Sequence, residues 1–246
     1  DRIPISVNNS RRHWKAILLL LAVMCIIFSI TRPAWNPKPE TIERRGRDLV
    51  FMLDVSKSML AEDLVPNRLE RAKLAIRDCV ERLQGDRVAL VAFAGTSAVK
   101  CPLTLDYGFF QLMLDNISTD SIARGGTMIG DAVRKIISNV FDDQAKEYKD
   151  IILITDGEDH DSFPVEAAQK AAGDGVRIIA IGLGDEETGT PIPVIGADGK
   201  KTFIEYEGKQ VLSKLDGETL RQVALASPEG KYLAVRTGTF DLDSIY

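Results

Sequence analysis

The sequence has 246 residues, of which 45% are hydrophobic and 27% are charged, and its formal net charge is −5. This length is enough for one sizeable hydrophobic core, and an acidic balance without a dominant basic block in the soluble part argues against a nucleic-acid partner. Three cysteines without a C-x-x-C spacing and only two histidines give no support for a zinc site or a Cys–His nucleophile pair.

The first predicted element is a membrane helix. Residues 16–30, AILLLLAVMCIIFSI, carry no charge, and Trp14 and Trp35 bracket them. As a helix, the stretch between the tryptophans would span about 30 Å, close to one hydrocarbon core with aromatic residues at both interfaces. The alternatives are a buried core helix or a signal peptide, whose apolar region is usually shorter and followed by a small-residue cleavage site. We therefore expect a transmembrane helix at 16–31 after an N-terminal segment at 1–15.

A linker follows the predicted membrane helix. Residues 32–47 hold three prolines and many charges, which is typical of an extended juxtamembrane segment. Basic residues lie on both sides of the apolar run in similar number, so the positive-inside rule leaves the orientation open.

Strand and helix patterns alternate from residue 48 onwards. Continuous apolar runs predict buried strands, and they lie at 48–55, 87–95, 150–157 and 176–184. An alternating edge strand is predicted at 97–104, and apolar spacing of helical period predicts helices at 67–84, 107–117, 128–141 and 164–175. This order predicts an α/β fold with three layers and a doubly wound, mostly parallel central sheet, preceded by the membrane helix.

The later part of the chain has a different pattern. IPVI and KTFIEY are predicted to form a hairpin near 190–206 with its turn at Asp198-Gly199. A helix at 216–226 and a strand at 231–236 follow, so the globular domain is expected to span 48–236 and to leave a C-terminal tail at 237–246.

Oxygen-bearing side chains stand where the predicted strands end. Asp54 and Asp156 end two apolar runs, Ser56 and Ser58 follow the first, and Thr127 precedes a predicted helix in a glycine-containing loop. Alternate residues of an extended loop point the same way, and open α/β sheets bind ligands at the carboxyl ends of their strands. We expect these five side chains to converge.

Two carboxylates and three hydroxyls form a donor set of hard oxygens. Such donors suit Mg²⁺, with Mn²⁺ or Ca²⁺ as alternatives, far better than zinc. The hydroxyls add no charge, so the ion would stay electrophilic enough to attract an Asp or Glu of a partner. Each piece alone is common as a turn or an N-cap, whereas the combination is specific. Three loop acids, Asp63, Asp159 and Asp161, either tune the charge nearby or are simply solvated.

The order D-x-S-x-S, then Thr, then Asp after a later strand resembles the metal-ion-dependent adhesion site (MIDAS) of von Willebrand factor A (vWA) domains, which have a Rossmann-like fold. Further stretches are similar to the bacterial Bat aerotolerance-type membrane proteins of the BatA/BatB group, over roughly 45–236 in all; these are SMLAEDLVPNRLERAK (58–73), GTPIPV (189–194) and SKLDGETLRQVA (213–224). The resemblance implies a metal-dependent interaction module in the inner membrane, on the periplasmic side, in stress tolerance or protein assembly. It implies other Bat proteins and a MoxR-type AAA+ ATPase as partners, and further membrane helices that this chain does not display.

Two other classes of function share features with this sequence. A phosphatase-like hydrolase of the haloacid dehalogenase type also ends its first strand in an aspartate, but it needs a second acid two residues later, where this chain has Ser56. A dinucleotide site is disfavoured because the G-x-G of GLGDEETG (182–189) precedes a predicted hairpin and not a helix. We therefore expect a non-catalytic module, with the Mg²⁺-dependent hydrolase as the alternative.

Overall fold

The computed structural model describes residues 9–30, 46–141, 148–196 and 199–236. It divides into two compact units, 1–43 and 44–246, and each is described by itself. The predicted N-terminal segment lies largely outside the described residues, as does most of the predicted linker, and the predicted C-terminal tail lies wholly outside them.

The described part of the N-terminal unit is a helix, α1 (Asn9–Ile30). Its segment Arg11–Ile30 is long and apolar enough to cross a membrane by length and composition, and its apolar side chains are exposed. The helix begins earlier than the predicted start at residue 16, because arginine and lysine are good helix formers and continue the helix beyond its apolar part.

The described residues of the second unit form twelve strands. In chain order they are β1 (Asp48–Asp54), β2 (Arg87–Phe93), β3 (Ser97–Thr104), β4 (Lys149–Thr155), β5 (Val176–Leu183), β6 (Thr190–Pro191), β7 (Pro193–Ile195), β8 (Lys201–Phe203), β9 (Glu205–Tyr206), β10 (Lys209–Gln210), β11 (Leu212–Ser213) and β12 (Lys231–Val235). The helices are α2 (Arg68–Arg82), α3 (Tyr107–Asp115), α4 (Ile129–Asn139), α5 (Pro164–Gly173) and α6 (Gly217–Leu225).

Six strands form the central sheet in the order β12-β5-β4-β1-β2-β3. All neighbours are parallel except β2 and β3, which are antiparallel. From β1 the chain moves outward to β2 and β3 on one side and later returns to β4 on the other. The strand order therefore reverses between β1 and β4, and this is where open sheets of this kind bind ligands.

Alternate residues of β1 face opposite cores. Leu49, Phe51 and Leu53 pack in one core with α2 and α3, whereas Val50 and Met52 pack in the other with α4, α5 and α6. Helices thus cover both faces of the sheet, which explains why β1 is a continuous apolar run. The predicted three-layer α/β fold is confirmed.

Side-chain caps begin three of the helices. Asn67, Asp106 and Asp216 each accept a hydrogen bond from the backbone N–H three positions later, at 2.8, 2.9 and 3.1 Å. Each cap satisfies one of the backbone donors that the first turn of a helix leaves unpaired, so these helices begin at residues that the sequence specifies locally.

A long segment between β5 and α6, residues 184–216, is called the excursion below. The predicted hairpin is present as β7 and β8, and the excursion has two further ladders, in which β6 pairs with β11 and β9 with β10. These two-residue strands are too short to show a period in the sequence. Gly199 of the predicted turn has a φ of +75°, which suits glycine, while Asp198 lies outside the described residues.

Candidate metal centre

Asp54 stands at the carboxyl end of β1, between β2 and β4, and its side chain is fully buried. The backbone N–H of Ser56 donates to Oδ1 of Asp54 at 2.8 Å, and the hydroxyl of Thr155 donates to Oδ2 at 2.5 Å. Both oxygens are thereby oriented from the ends of two neighbouring strands. The sequence interpretation did not include Thr155, because its hydroxyl directly precedes the more conspicuous Asp156.

Ser56 and Ser58 are buried next to Asp54, and their hydroxyl oxygens lie 2.9 Å apart. The expected extended loop is absent here, since residues Lys57–Leu60 form a 3₁₀ turn in which the N–H of Met59 donates to the carbonyl of Ser56. The turn, and not strand-like alternation, brings the two hydroxyls together. The two serine hydroxyls are close together, but the extended backbone predicted for this loop was wrong.

Thr127 is buried in the loop that leads into α4. The N–H of Met128 donates to the carbonyl of Ala94 at 2.9 Å, which fixes this loop to the end of β2. A Cβ on Gly95 would meet the carbonyl oxygen of Gly125 at 2.0 Å, so only glycine permits this close approach. Thr127 is therefore held beside the strand end that neighbours Asp54.

The loop after β4 supports Thr127 from the other side. The N–H of His160 donates to the carbonyl of Thr127 at 2.9 Å, and the N–H of Thr127 donates to Nδ1 of His160 at 3.2 Å. Oδ1 of Asp159 accepts from the N–H of Ile129 at 2.9 Å, so this loop acid caps α4 from outside the helix. Asp161 is exposed.

Asp156 follows β4 and is fully buried. Its Oδ2 accepts from Nη1 of Arg68 at 3.2 Å and from the hydroxyl of Ser213 at 3.1 Å. Arg68 is also fully buried, and its Nη2 donates to Asp63 at 2.7 Å. The sequence interpretation missed Arg68, because an arginine in the first turn of a helix is typical of a solvated surface.

The charges at this site repel one another. Burial, and after it the nearby carboxylate of Asp156, raise the pKa of Asp54 to about 7, against the opposing effect of the hydrogen bonds from Thr155 and Ser56. Two buried carboxylates close together are unfavourable unless a cation compensates them. The site is thus buried and combines two carboxylates, one of them paired with Arg68, with neutral hydroxyls.

The donor set fits a hard divalent cation. Among the residues that the structure describes, no three His, Cys, Asp or Glu side chains come close enough to hold a metal ion together. The residues present are instead two carboxylates and hydroxyls, the donors preferred by Mg²⁺ and its relatives. Asp54, Ser56 and Ser58 are in contact, Asp156 is within electrostatic reach, and Thr127 is held on the adjoining loop.

Comparison with known proteins identifies the family to which this fold belongs. The family model of the von Willebrand factor type A domain matches residues 49–158. The structure of an aerotolerance-related membrane protein from Bacteroides fragilis is similar to this one, with 32% identity, a TM-score of 0.71, and 77% of this chain and 92% of that chain covered. BatB from Bacteroides thetaiotaomicron matches with 33% identity and a TM-score of 0.70, over 81% of this chain and 94% of that chain. The chain belongs to the von Willebrand factor A family, in the Bat group of aerotolerance-related membrane proteins.

Other relatives of this vWA protein differ in length and similarity. A protein of Borreliella burgdorferi is 31% identical over 172 residues, 69% of this chain and 50% of its own length. A UPF0353 protein of Mycobacterium leprae is 27% identical over 240 residues, 96% of this chain and 68% of its own length. The chain thus spans half of the Borreliella protein. Proximal thread matrix protein 1 from the mussel byssus, solved with a zinc-occupied MIDAS motif, shares the fold, with a TM-score of 0.55 at 17% identity.

Proposed function

We propose that this chain is a membrane-anchored interaction protein whose vWA domain binds a carboxylate of a protein partner through a bound Mg²⁺ ion, with Mn²⁺ or Ca²⁺ as substitutes. In this proposal residues 16–31 are the anchor and 48–236 the vWA domain. The observation that carries it is the pair of buried carboxylates, Asp54 and Asp156, beside the touching hydroxyls of Ser56 and Ser58 at the reversal of strand order.

The proposed ligands are the five residues of the motif: Asp54, Ser56, Ser58, Thr127 and Asp156. A divalent cation here would supply a Lewis-acidic position for an outside carboxylate. The two carboxylates would balance its charge, and the neutral hydroxyls would add none, so the ion would keep its attraction for a partner's Asp or Glu. The zinc-occupied motif of the mussel protein supports the ability of this fold to hold a divalent cation at such a site.

A groove beside the metal loop offers room for the residues that flank the partner's carboxylate. Its volume is about 660 Å³, and its lining includes Leu60, Val194 and Ile195 together with Lys57 and Lys201. Lys57 is continuous with the site because it stands between the two serines, and both lysines are paired with exposed acids. Ile195 is 81% exposed. The groove therefore suits an apolar partner residue adjacent to the metal-bound acid.

Membership of the Bat group supports a proposal for the partners and the setting. We infer other Bat proteins and a MoxR-type AAA+ ATPase as partners, in a system for stress tolerance or assembly, with the domain on the periplasmic side of the inner membrane. No role with nucleic acid is proposed. A noncatalytic module is favoured over a Mg²⁺-dependent hydrolase, because Ser56 stands where the hydrolase would need its general acid–base carboxylate.

The test is metal-dependent partner capture by the full chain in detergent micelles. Calorimetry with Mg²⁺ should give saturable binding, which Thr127→Ala abolishes while the far-UV circular dichroism stays unchanged. Capture of membrane proteins should occur with Mg²⁺ and be lost with EDTA. Unchanged Mg²⁺ affinity in Thr127→Ala would overturn the metal proposal, and Mg²⁺-dependent hydrolysis of p-nitrophenyl phosphate that Asp54→Asn removes would favour the hydrolase.

A separate experiment addresses the side of the membrane. Protease added to intact cells should leave the domain untouched, whereas protease added to spheroplasts should degrade it, since the outer membrane shields the periplasm. Degradation only after lysis of the inner membrane would put the domain in the cytoplasm and contradict the inferred side.

A further inference from the structure

Arg68 is a buried cation close to the candidate metal centre. Its side chain has no exposed surface, and its guanidinium group contacts two carboxylates. Nε and Nη2 donate to Asp63 at 2.9 and 2.7 Å, and Nη1 donates to Asp156 at 3.2 Å. A buried arginine is stable only when its charge and its donors are matched. The three side chains therefore form one line of charge, Asp63–Arg68–Asp156.

The excursion holds this line in place. The hydroxyl of Ser213 accepts from Nη1 of Arg68 at 2.7 Å and lies 3.1 Å from Oδ2 of Asp156. The N–H of Asp216 donates to the backbone carbonyl of Asp156 at 2.9 Å. At the start of the excursion, a Cβ on Gly184 would meet Nη2 of Arg68 at 2.6 Å. Both ends of the excursion thus pack against the guanidinium group or the residue it contacts.

The two oxygens of Asp156 have unequal partners. Oδ2 is shared by Arg68 and Ser213, while from the residues that the structure describes Oδ1 accepts only a long hydrogen bond of 3.4 Å, donated by the N–H of Glu158. A cation at the site and the guanidinium group would therefore both be attracted to the carboxylate of Asp156. Asp63 pairs with the other side of the guanidinium group, at Nε and Nη2, and compensates part of its positive charge.

We propose that Arg68 is a positioning residue that competes with the bound metal for the charge of Asp156. This inference rests on the proposed metal function. Arg68 fixes Oδ2, leaves Oδ1 available, and weakens the hold of the site on its ion. A weakly held ion keeps more of its attraction for the partner's carboxylate. Asp63 moderates the competition, so the site is tuned by residues outside the metal motif.

Loss of charge at Arg68 and loss of charge at Asp63 should change the Mg²⁺ affinity in opposite directions. Removal of the positive charge in Arg68→Gln leaves Asp156 uncompensated, so Mg²⁺ should bind about tenfold tighter. Removal of the negative charge in Asp63→Asn leaves the whole guanidinium charge for Asp156, so Mg²⁺ should bind about threefold weaker. Damage to the fold alone would weaken Mg²⁺ binding in both variants.

The experiment measures Mg²⁺ affinity by calorimetry on the full chain in micelles, at about pH 8. Arg77→Gln and Asp115→Asn are matched controls, because Arg77 lies on the same helix and pairs with Asp115 at the surface. Arg68→Lys keeps the positive charge but lacks the planar guanidinium group. Its Mg²⁺ affinity should therefore lie within about threefold of that of the unmodified chain.

Thermal unfolding in EDTA and in Mg²⁺ gives a second readout. Arg68→Gln should unfold at a lower temperature in EDTA and gain more from Mg²⁺ than the unmodified chain, because tighter binding stabilises the folded state more. If Arg68→Gln does not fold, the inference is tested by the Mg²⁺ affinity of Asp63→Asn, which should be weaker than that of its control Asp115→Asn. Equal effects in Asp63→Asn and its control, or weaker binding in a folded Arg68→Gln, would overturn the inference. Absence of Mg²⁺ binding in the unmodified chain would instead overturn the proposed function.

Discussion

The hydroxyl of Thr155 donates a hydrogen bond of 2.5 Å to Oδ2 of Asp54, and both side chains are fully buried. The bond joins the ends of β1 and β4, the two strands that flank the reversal of strand order. The same hydroxyl accepts from the N–H of Gly157 at 3.0 Å, so its proton is committed to Asp54. Thr155 is thus a supporting residue of the candidate metal centre that lies outside the D-x-S-x-S motif.

We expect Thr155→Val to weaken Mg²⁺ binding about tenfold and to lower the free energy of unfolding by about 2 kcal/mol, the usual scale for a lost buried hydrogen bond to a charged group. Valine has nearly the same shape but leaves Oδ2 of Asp54 without its donor. Calorimetry and urea unfolding measure the two effects. Thr188→Val, at an exposed position of the excursion, is the control, and equal results for the two variants would remove Thr155 from the site.

Asp54→Asn should abolish Mg²⁺ binding and at the same time stabilise the metal-free protein. Burial and Asp156 both disfavour the charge on Asp54, so a neutral amide of the same size should raise the free energy of unfolding in EDTA by roughly 2 kcal/mol at about pH 8. Asp78→Asn removes an exposed acid and should leave it unchanged. A less stable Asp54→Asn in EDTA would show that the repulsion at this site is compensated from within the protein.

Ser58→Ala separates metal binding from folding. The hydroxyls of Ser56 and Ser58 contact each other at 2.9 Å, and alanine removes one proposed ligand with little change in volume. We expect about tenfold weaker Mg²⁺ binding, with unfolding in EDTA shifted by no more than about 1 kcal/mol. Ser138→Ala, on the exposed end of α4, should change neither quantity. Full Mg²⁺ affinity in Ser58→Ala would remove this serine from the ligand set.

Ile195→Asp tests the groove beside the metal loop. Ile195 is 81% exposed on the hairpin, so a charge there should not disturb folding, but it would oppose an apolar residue of a partner. We expect Mg²⁺-dependent partner capture to fall about tenfold while Mg²⁺ affinity stays the same. Leu225→Asp changes a similarly exposed leucine on α6 and should preserve capture. Equal capture by both variants would argue that the partner does not enter the groove.

The sheet and most helices are predictable because the driving forces are local or periodic. A strand covered on both faces has a continuous apolar interior, as at 49–53 of β1, and caps such as Asn67 mark helix starts. The ends of strands are less predictable, since the apolar run of 87–95 continues for two residues past β2. The two ladders of two-residue strands in the excursion are too short to show a period, so their pairing is seen only in the folded chain.

The candidate site likewise has residues that the sequence predicts and contacts that only the structure shows. The motif residues can be found from the sequence, because oxygen donors at strand ends meet at one edge of a parallel sheet. The contacts of Thr155 and Arg68 cannot be found this way. Arg68 and Asp156 are 88 positions apart, and Ser213 is 145 positions from Arg68, so no local pattern relates them.

By itself, the sequence determined the apolar helix, the alternation of strands and helices, and the identity of the oxygen donors, since each depends on side-chain chemistry at short range. Only the tertiary structure decided how those donors are held. The 3₁₀ turn brings the serines together, and Thr155 orients Asp54. Ser213 of the excursion accepts a hydrogen bond from the buried Arg68, which also donates to Asp156. These relationships arise when distant segments are buried together, because a charge removed from water must find its partners wherever the fold brings them.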